Sequence, residues 1–143
     1  MPTIRIQGID LTYDEKDIVT FDEGLIGLPH LRRMVLVNQT DIAPLLWLAS
    51  LDEPGTAFLV VNPRSLFSDY VPRVPDDVYS RTGSAREEEQ LLTMAIVLIA
   101  PDWQRSTINL RAPLFISARN MRGAQIALTE NHYRVDAPLP LAA

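Results

Sequence analysis

The chain has 143 residues, 47% of them hydrophobic and 22% charged, and no cysteine; one self-sufficient core is possible, and disulfides and thiolate chemistry are excluded. Asp and Glu number 18 against 13 Lys and Arg, a formal net charge of −5, which opposes a broad nucleic-acid interface because phosphate binding draws on counterion release by a basic face. With only His30 and His132 as imidazoles, a zinc site would need carboxylates to complete it, so no metal and no cofactor is expected.

The N-terminus alternates apolar and polar residues through Thr3, Ile4, Arg5 and Ile6, which leaves no apolar region for a signal peptide. Ile4 and Ile6, then Ile9, Leu11 and Tyr13, predict two half-buried strands meeting at a bend or bulge at Gly8. A polar turn over 14–17 leads into a strand over 18–21. The stretch 23–29, with Gly24, Gly27 and Pro29, reads as a structured loop, followed by one helical turn over 30–33 and a buried strand over 34–37. The apolar runs 45–51 and 57–61 flank Pro54-Gly55 and predict a hairpin.

The most polar segment, 63–90, contains Pro75-Asp76-Asp77 with Gly83 beyond it, the start and stop signals of a short helix over 75–81. A strand is predicted over 91–99, ended by Pro101, with weak pairing over 108–110. Strands over 114–117 and 125–129 flank a hairpin loop over 119–123. The 91–100 stretch is interrupted by Thr93 and is too short for a membrane span of about 20 residues. No membrane partner and a cytoplasmic location are therefore expected. Eleven prolines keep every element short. The fold class that follows is mainly β, a small single-domain antiparallel barrel, closed or nearly closed, with one or two short helices. Its core is expected to include Trp47, Leu48, Phe58, Val60, Ile96, Leu98, Leu114 and Ile116. The domain covers residues 1–135, and the small, Pro-rich residues 136–143 form a mobile tail.

No catalytic constellation stands out. The glycines of 23–27 are too few for a phosphate cradle, and no serine sits in a nucleophile elbow. Asp52-Glu53 and Asp76-Asp77 are explained by a turn and a helix start. Glu87-Glu88-Glu89 reads as a solvated charge run. Phe67, Tyr70, Val71 and Val74 lie among polar residues and prolines; they would serve either as a lid over one barrel end or as interface anchors of low ordering cost.

Ile18-Val19-Thr20-Phe21 with Glu23-Gly24-Leu25-Ile26-Gly27, Leu46-Trp47-Leu48 with Ser50-Leu51-Asp52 and Pro54, Ala57-Phe58-Leu59-Val60-Val61-Asn62-Pro63, Asp69-Tyr70, and Asn109-Leu110-Arg111-Ala112-Pro113-Leu114 with Gly123 and Gln125 occur in one unbroken order. In that order and spacing the chain resembles the flagellar assembly factor FliW family. Two positions depart from the family pattern: Asp22 stands where Pro is usual, and Asn62 where Asp is usual. The resemblance implies a non-enzymatic cytoplasmic β-barrel that binds two alternative partners, flagellin and the translational repressor CsrA, and relieves CsrA repression of flagellin mRNA. The free protein is expected to be monomeric and to bind no nucleic acid directly.

The expected partner surface combines Glu23 and Gly24 of the first loop with Asn62, Pro63, Phe67, Asp69 and Tyr70, taken as adjoining. Pro63 would stiffen a strand exit, Phe67 and Tyr70 would supply apolar area, and Asp69 and Glu23 would meet a basic partner. Two other classes stay open on residues alone. A single-strand nucleic-acid barrel would have to use Arg111, Arg119, Arg122 and Arg134, and a small hydrolase would need a pocket with carboxylates of separated pKa.

Overall fold

The computed structural model describes residues 1–85, 91–130 and 132–140, so the Glu87-Glu88-Glu89 run lies outside the described residues. The strands are β1 (Thr3–Ile6), β2 (Ile9–Thr12), β3 (Ile18–Phe21), β4 (Arg33–Val37), β5 (Leu46–Ser50), β6 (Ala57–Val61), β7 (Leu91–Leu98), β8 (Thr107–Ile108), β9 (Leu114–Ser117), β10 (Arg122–Gln125) and β11 (Ala137–Pro138), with the helix α1 (Asp76–Thr82) between β6 and β7. Strands β3 to β7 pair in sequence order, β7 then pairs with β9, β9 with β10, and β10 with β3. Seven strands thus close on themselves, and closure removes the free sheet edges that invite association.

The inside and outside of this barrel are set by two interleaved residue series, since successive strand residues point to opposite faces. Val19 and Phe21, Met34, Leu48, Val60, Met94, Leu114 and Ile116 share the inner cluster, with Leu36, Leu46, Phe58 and Ile96 packed against it. One residue out of phase, the outer series is apolar too, because three covers lie on it. The β1–β2 hairpin sets Ile6 on Val35, Val37, Trp47 and Ala49. The segment after β6 and the C-terminal residues lay Tyr70, Ala137 and Leu139 on Val61, Ala95 and Val97. Helix α1 sets Val78 on Phe115 and Leu128. Burial on both faces explains why strands such as β5 and β6 read as continuous apolar runs.

At the barrel seam, Phe21 is fully buried and a Cβ on Gly123 would come within 2.6 Å of its ring. Only the missing side chain of Gly123 lets that ring fill the interior beside β10. Helix α1 follows its signals: Pro75 precedes it, Asp76 and Asp77 lie in its first turn, and Gly83 follows at φ 69°.

Several expectations need correction. The barrel is not wholly antiparallel, because β10 runs parallel to β3 with Arg122 opposite Thr20 and Gly123 opposite Phe21. No helical turn forms over 30–33. The Asp52 carboxylate accepts the N–H groups of Arg32 and Arg33 at 2.9 and 2.7 Å, and the Arg32 carbonyl accepts from Phe21, which holds the chain extended into β4. The strand placed at 125–129 lies instead at Arg122–Gln125. Past Gln125, the Ile126 and Leu128 amides donate to Pro113 and Arg111 outside any ladder, and Leu128 turns to the α1 cluster. The bend at Gly8 is a two-residue hairpin turn, with Gln7 and Gly8 both at positive φ.

Of the expected core, Trp47, Leu48, Val60, Leu114 and Ile116 are buried, and Phe58 and Ile96 pack against the inner cluster. Leu98 is 70% exposed; it is the last residue of β7, one beyond Val97, the final partner of β6. Residues 137–139 of the tail are docked where they were expected to be mobile: β11 pairs with β8, the Leu139 amide donates to the Ser106 carbonyl at 3.0 Å, and Ala137 and Leu139 are buried; residues 141–143 lie outside the described residues.

Candidate partner interface

The first candidate segment leaves β3 and reverses sharply. The Gly24 amide donates to the Phe21 carbonyl at 2.9 Å, and Leu25 and Leu28 exchange two backbone hydrogen bonds. Gly24 has φ 69°, and a Cβ there would lie 2.6 Å from the backbone of Pro29, so glycine is required by both conformation and space. Polar links from elsewhere hold the loop. The Ile26 amide donates to Gln125 Oε1 at 2.9 Å while Gln125 Nε2 donates to the Ala112 carbonyl at 3.1 Å. Glu23 pairs with Arg81 Nε on α1 at 2.9 Å, and Asp22 pairs with Arg122 on β10. A groove runs between the loop and Arg81, and Ile26, at the loop tip, is 54% exposed.

The second segment leaves β6. Asn62 Oδ1 accepts from the Arg64 amide at 3.0 Å and caps a 3-10 turn at Pro63–Ser65. A carboxylate would accept the same bond, so the Asn62 departure preserves the local structure and removes one charge. Tyr70 is 1% exposed, its hydroxyl donates to the Leu110 carbonyl at 2.7 Å, and its ring meets Tyr133 edge-on at 4.8 Å. Burial, with Tyr133 and Glu130 nearby, pushes the Tyr70 phenol well above its ordinary value.

Of the seven expected contact residues, Glu23, Asn62 and Asp69 are exposed, Phe67 is half-buried, and Gly24, Pro63 and Tyr70 are buried. Tyr70 is therefore a plug over the outer face of β6 and β7, which corrects its reading as a surface anchor. The two segments are not adjoining. Strands β3 to β6 alternate in direction, so the loop after β3 and the segment after β6 are rooted at opposite ends of the barrel.

Sequence reading gave no interface role to Arg81 and Gln125, which anchor the first segment, or to Tyr133 and His132, which line a cavity with Phe67, Asp69, Tyr70 and Leu110. None carries a local signal: Val71 and Tyr133, joined by a 3.4 Å amide-to-hydroxyl contact, lie 62 residues apart. Of the four arginines that a nucleic-acid surface would use, Arg122 and Arg134 are paired with Asp22 and Asp136. Among the described residues, no three His, Asp or Glu side chains gather as a metal site, and no helix is long and apolar enough to cross a membrane.

These features define the class: a small seven-stranded barrel clad on three sides, with the exposed candidate contact residues Glu23, Asn62 and Asp69 on its connecting segments. The FliW protein family model matches residues 7–139. Flagellar assembly factor FliW 2 of Desulfotalea psychrophila is 32% identical over 140 residues, covering 98% of this chain and 91% of that protein. The flagellar assembly factor FliW of Thermotoga maritima is 32% identical over 127 residues, covering 88% and 85%. A crystal structure of the flagellar assembly factor FliW superposes with a TM-score of 0.84 at 26% identity, covering 99% of this chain and all of that one. The chain belongs to the FliW family of flagellar assembly factors.

Proposed function

We propose that the chain is a cytoplasmic, non-enzymatic, protein-binding regulator that engages CsrA and flagellin by turns. Bound to CsrA, it relieves repression of flagellin mRNA; flagellin accumulating in the cytoplasm then competes for it and restores repression. The observation that carries this reading is the family match over nearly the whole chain. The excess of acidic residues supports it, since an RNA-binding repressor presents a basic face and complementary charge speeds encounter. The free protein is a monomer in this reading and contacts no RNA itself.

The test is an electrophoretic shift assay in which the purified protein is added to a preformed complex of CsrA with flagellin-leader RNA. The RNA is expected to leave as free RNA, with no species containing RNA and this protein alone. RNA that stays on CsrA at saturating protein, or tight RNA binding by this chain at physiological salt, overturns the proposal.

A further inference from the structure

The cavity beside Tyr70 has a chemistry of its own. Phe67, Tyr70, His132 and Tyr133 line an opening of about 270 Å³ together with Leu110 and Asp69. Three of the rings are tied into one unit: Tyr70 is fixed by its hydroxyl bond to Leu110 and meets Tyr133 at 4.8 Å, and Tyr133 meets His132 at 4.0 Å. The Phe67 amide donates a hydrogen bond to the Pro63 carbonyl at 2.8 Å, which fixes its backbone. Asp69 is exposed, and among the described residues it has no ion-pair partner.

Aromatic faces carry partial negative charge and attract cations, more strongly where water is excluded. A carboxylate beside them adds a full charge and an acceptor for a planar fork of donors. The opening is of side-chain size, below the usual range of sites for larger organic ligands. A guanidinium stacks on aromatic rings and pairs with a carboxylate in two parallel hydrogen bonds, whereas an ammonium is a compact, strongly hydrated charge. We propose that this aromatic box takes an arginine side chain of a protein partner, with the guanidinium against the rings of Phe67 and Tyr133 and paired with Asp69. The inference deepens the partner-binding reading above and rests on it for the source of the arginine; the box's affinity for a guanidinium is separate from that reading.

The experiment titrates Nα-acetyl-arginine amide into the full-length protein and follows backbone amide resonances, with the matching citrulline and lysine amides as controls. Shifts are expected to concentrate at 67–70, 110 and 132–133 with arginine, to be weaker with lysine, and to vanish with uncharged citrulline. Asp69→Asn, which keeps side-chain shape, and Phe67→Leu, which keeps an apolar side chain, should each weaken arginine binding by roughly two- to fivefold with the spectrum otherwise native. Scattered shifts, equal response to citrulline or lysine, or unchanged affinity in both variants overturns the proposal. CsrA and flagellin binding is measured on the same wild-type sample. Partner binding without arginine shifts refutes the box alone, and arginine shifts without partner binding refute the regulator reading alone.

Discussion

The loop after β3 and the segment after β6 are both irregular, both rich in turn residues, and held by opposite means. The first is pinned by polar links to distant elements: Ile26 to Gln125, Glu23 to Arg81, and Asp22 to Arg122. The second is pinned by burial, with Tyr70 inserted among Val61, Ala95, Val97 and Leu110. Polar links at a surface contribute little each and leave side chains such as Ile26 free to be covered by a partner. Burial of a large ring contributes several kcal/mol and commits the segment to the fold. Apolar content in a loop is thus a poor guide to an interface until the residue's partners are known.

The largest effect expected from breaking this contrast is at Tyr70. Tyr70→Ala should lower unfolding free energy by about 3–5 kcal/mol, read from urea denaturation. Tyr70→Phe keeps the ring, orphans the Leu110 carbonyl, and should cost about 1–3 kcal/mol. If Tyr70→Ala unfolds at the wild-type denaturant midpoint, the segment is not held by burial.

Next is the seam from which the first segment leaves, at Phe21. Gly123→Ala drives a methyl into the Phe21 ring and should cost about 1–3 kcal/mol, measured the same way; no change would mean the ring has room that the 2.6 Å approach denies. For the first segment, Gln125→Ala removes the acceptor of the Ile26 amide and should cost about 1–2 kcal/mol, with faster hydrogen exchange at Ile26. Below that, Arg81→Ala should cost less than about 1 kcal/mol and lose its effect in high salt.

The smallest expected effect is acid-dependent. Hydrogen bonds from the Arg33 and then the Arg32 backbone amides hold the Asp52 carboxyl below its ordinary value of 3.8. A depressed folded value means that the stabilisation is complete at neutral pH and is lost as pH falls below 3.8 and through the folded value. Asp52→Asn keeps a neutral acceptor and removes the titration, so it should flatten the acid limb of the stability curve by lowering neutral-pH stability toward the level that wild type reaches in acid. An unchanged acid limb would show that Asp52 does not contribute to it.

Much of the barrel was legible because its signals are local. Alternation placed β1 and β2, apolar runs placed β4 to β6, Pro54-Gly55 placed a turn, and Pro75 with Gly83 bracketed α1. The parallel closure of β10 on β3 was not, because nothing near Arg122 announces a partner 100 residues away. The docking of residues 137–139 was hidden for a related reason: Ala137 and Leu139 are apolar residues in a Pro-rich setting, and their burial depends on the outer face of β7 and β8. At the candidate interface, residue types picked out both segments. Strand direction, which set them at opposite ends, and the chain return that brings Tyr133 to Tyr70 are properties of topology.

In the proposed regulator role, one small barrel serves two protein partners by turns. The most direct measurement is a competition titration: the protein is bound to labelled CsrA, and unlabelled monomeric flagellin is added while the labelled complex is followed by fluorescence anisotropy. Flagellin is expected to displace CsrA completely, with no ternary complex. Failure of either partner to bind, or persistence of the CsrA complex at saturating flagellin, would contradict it.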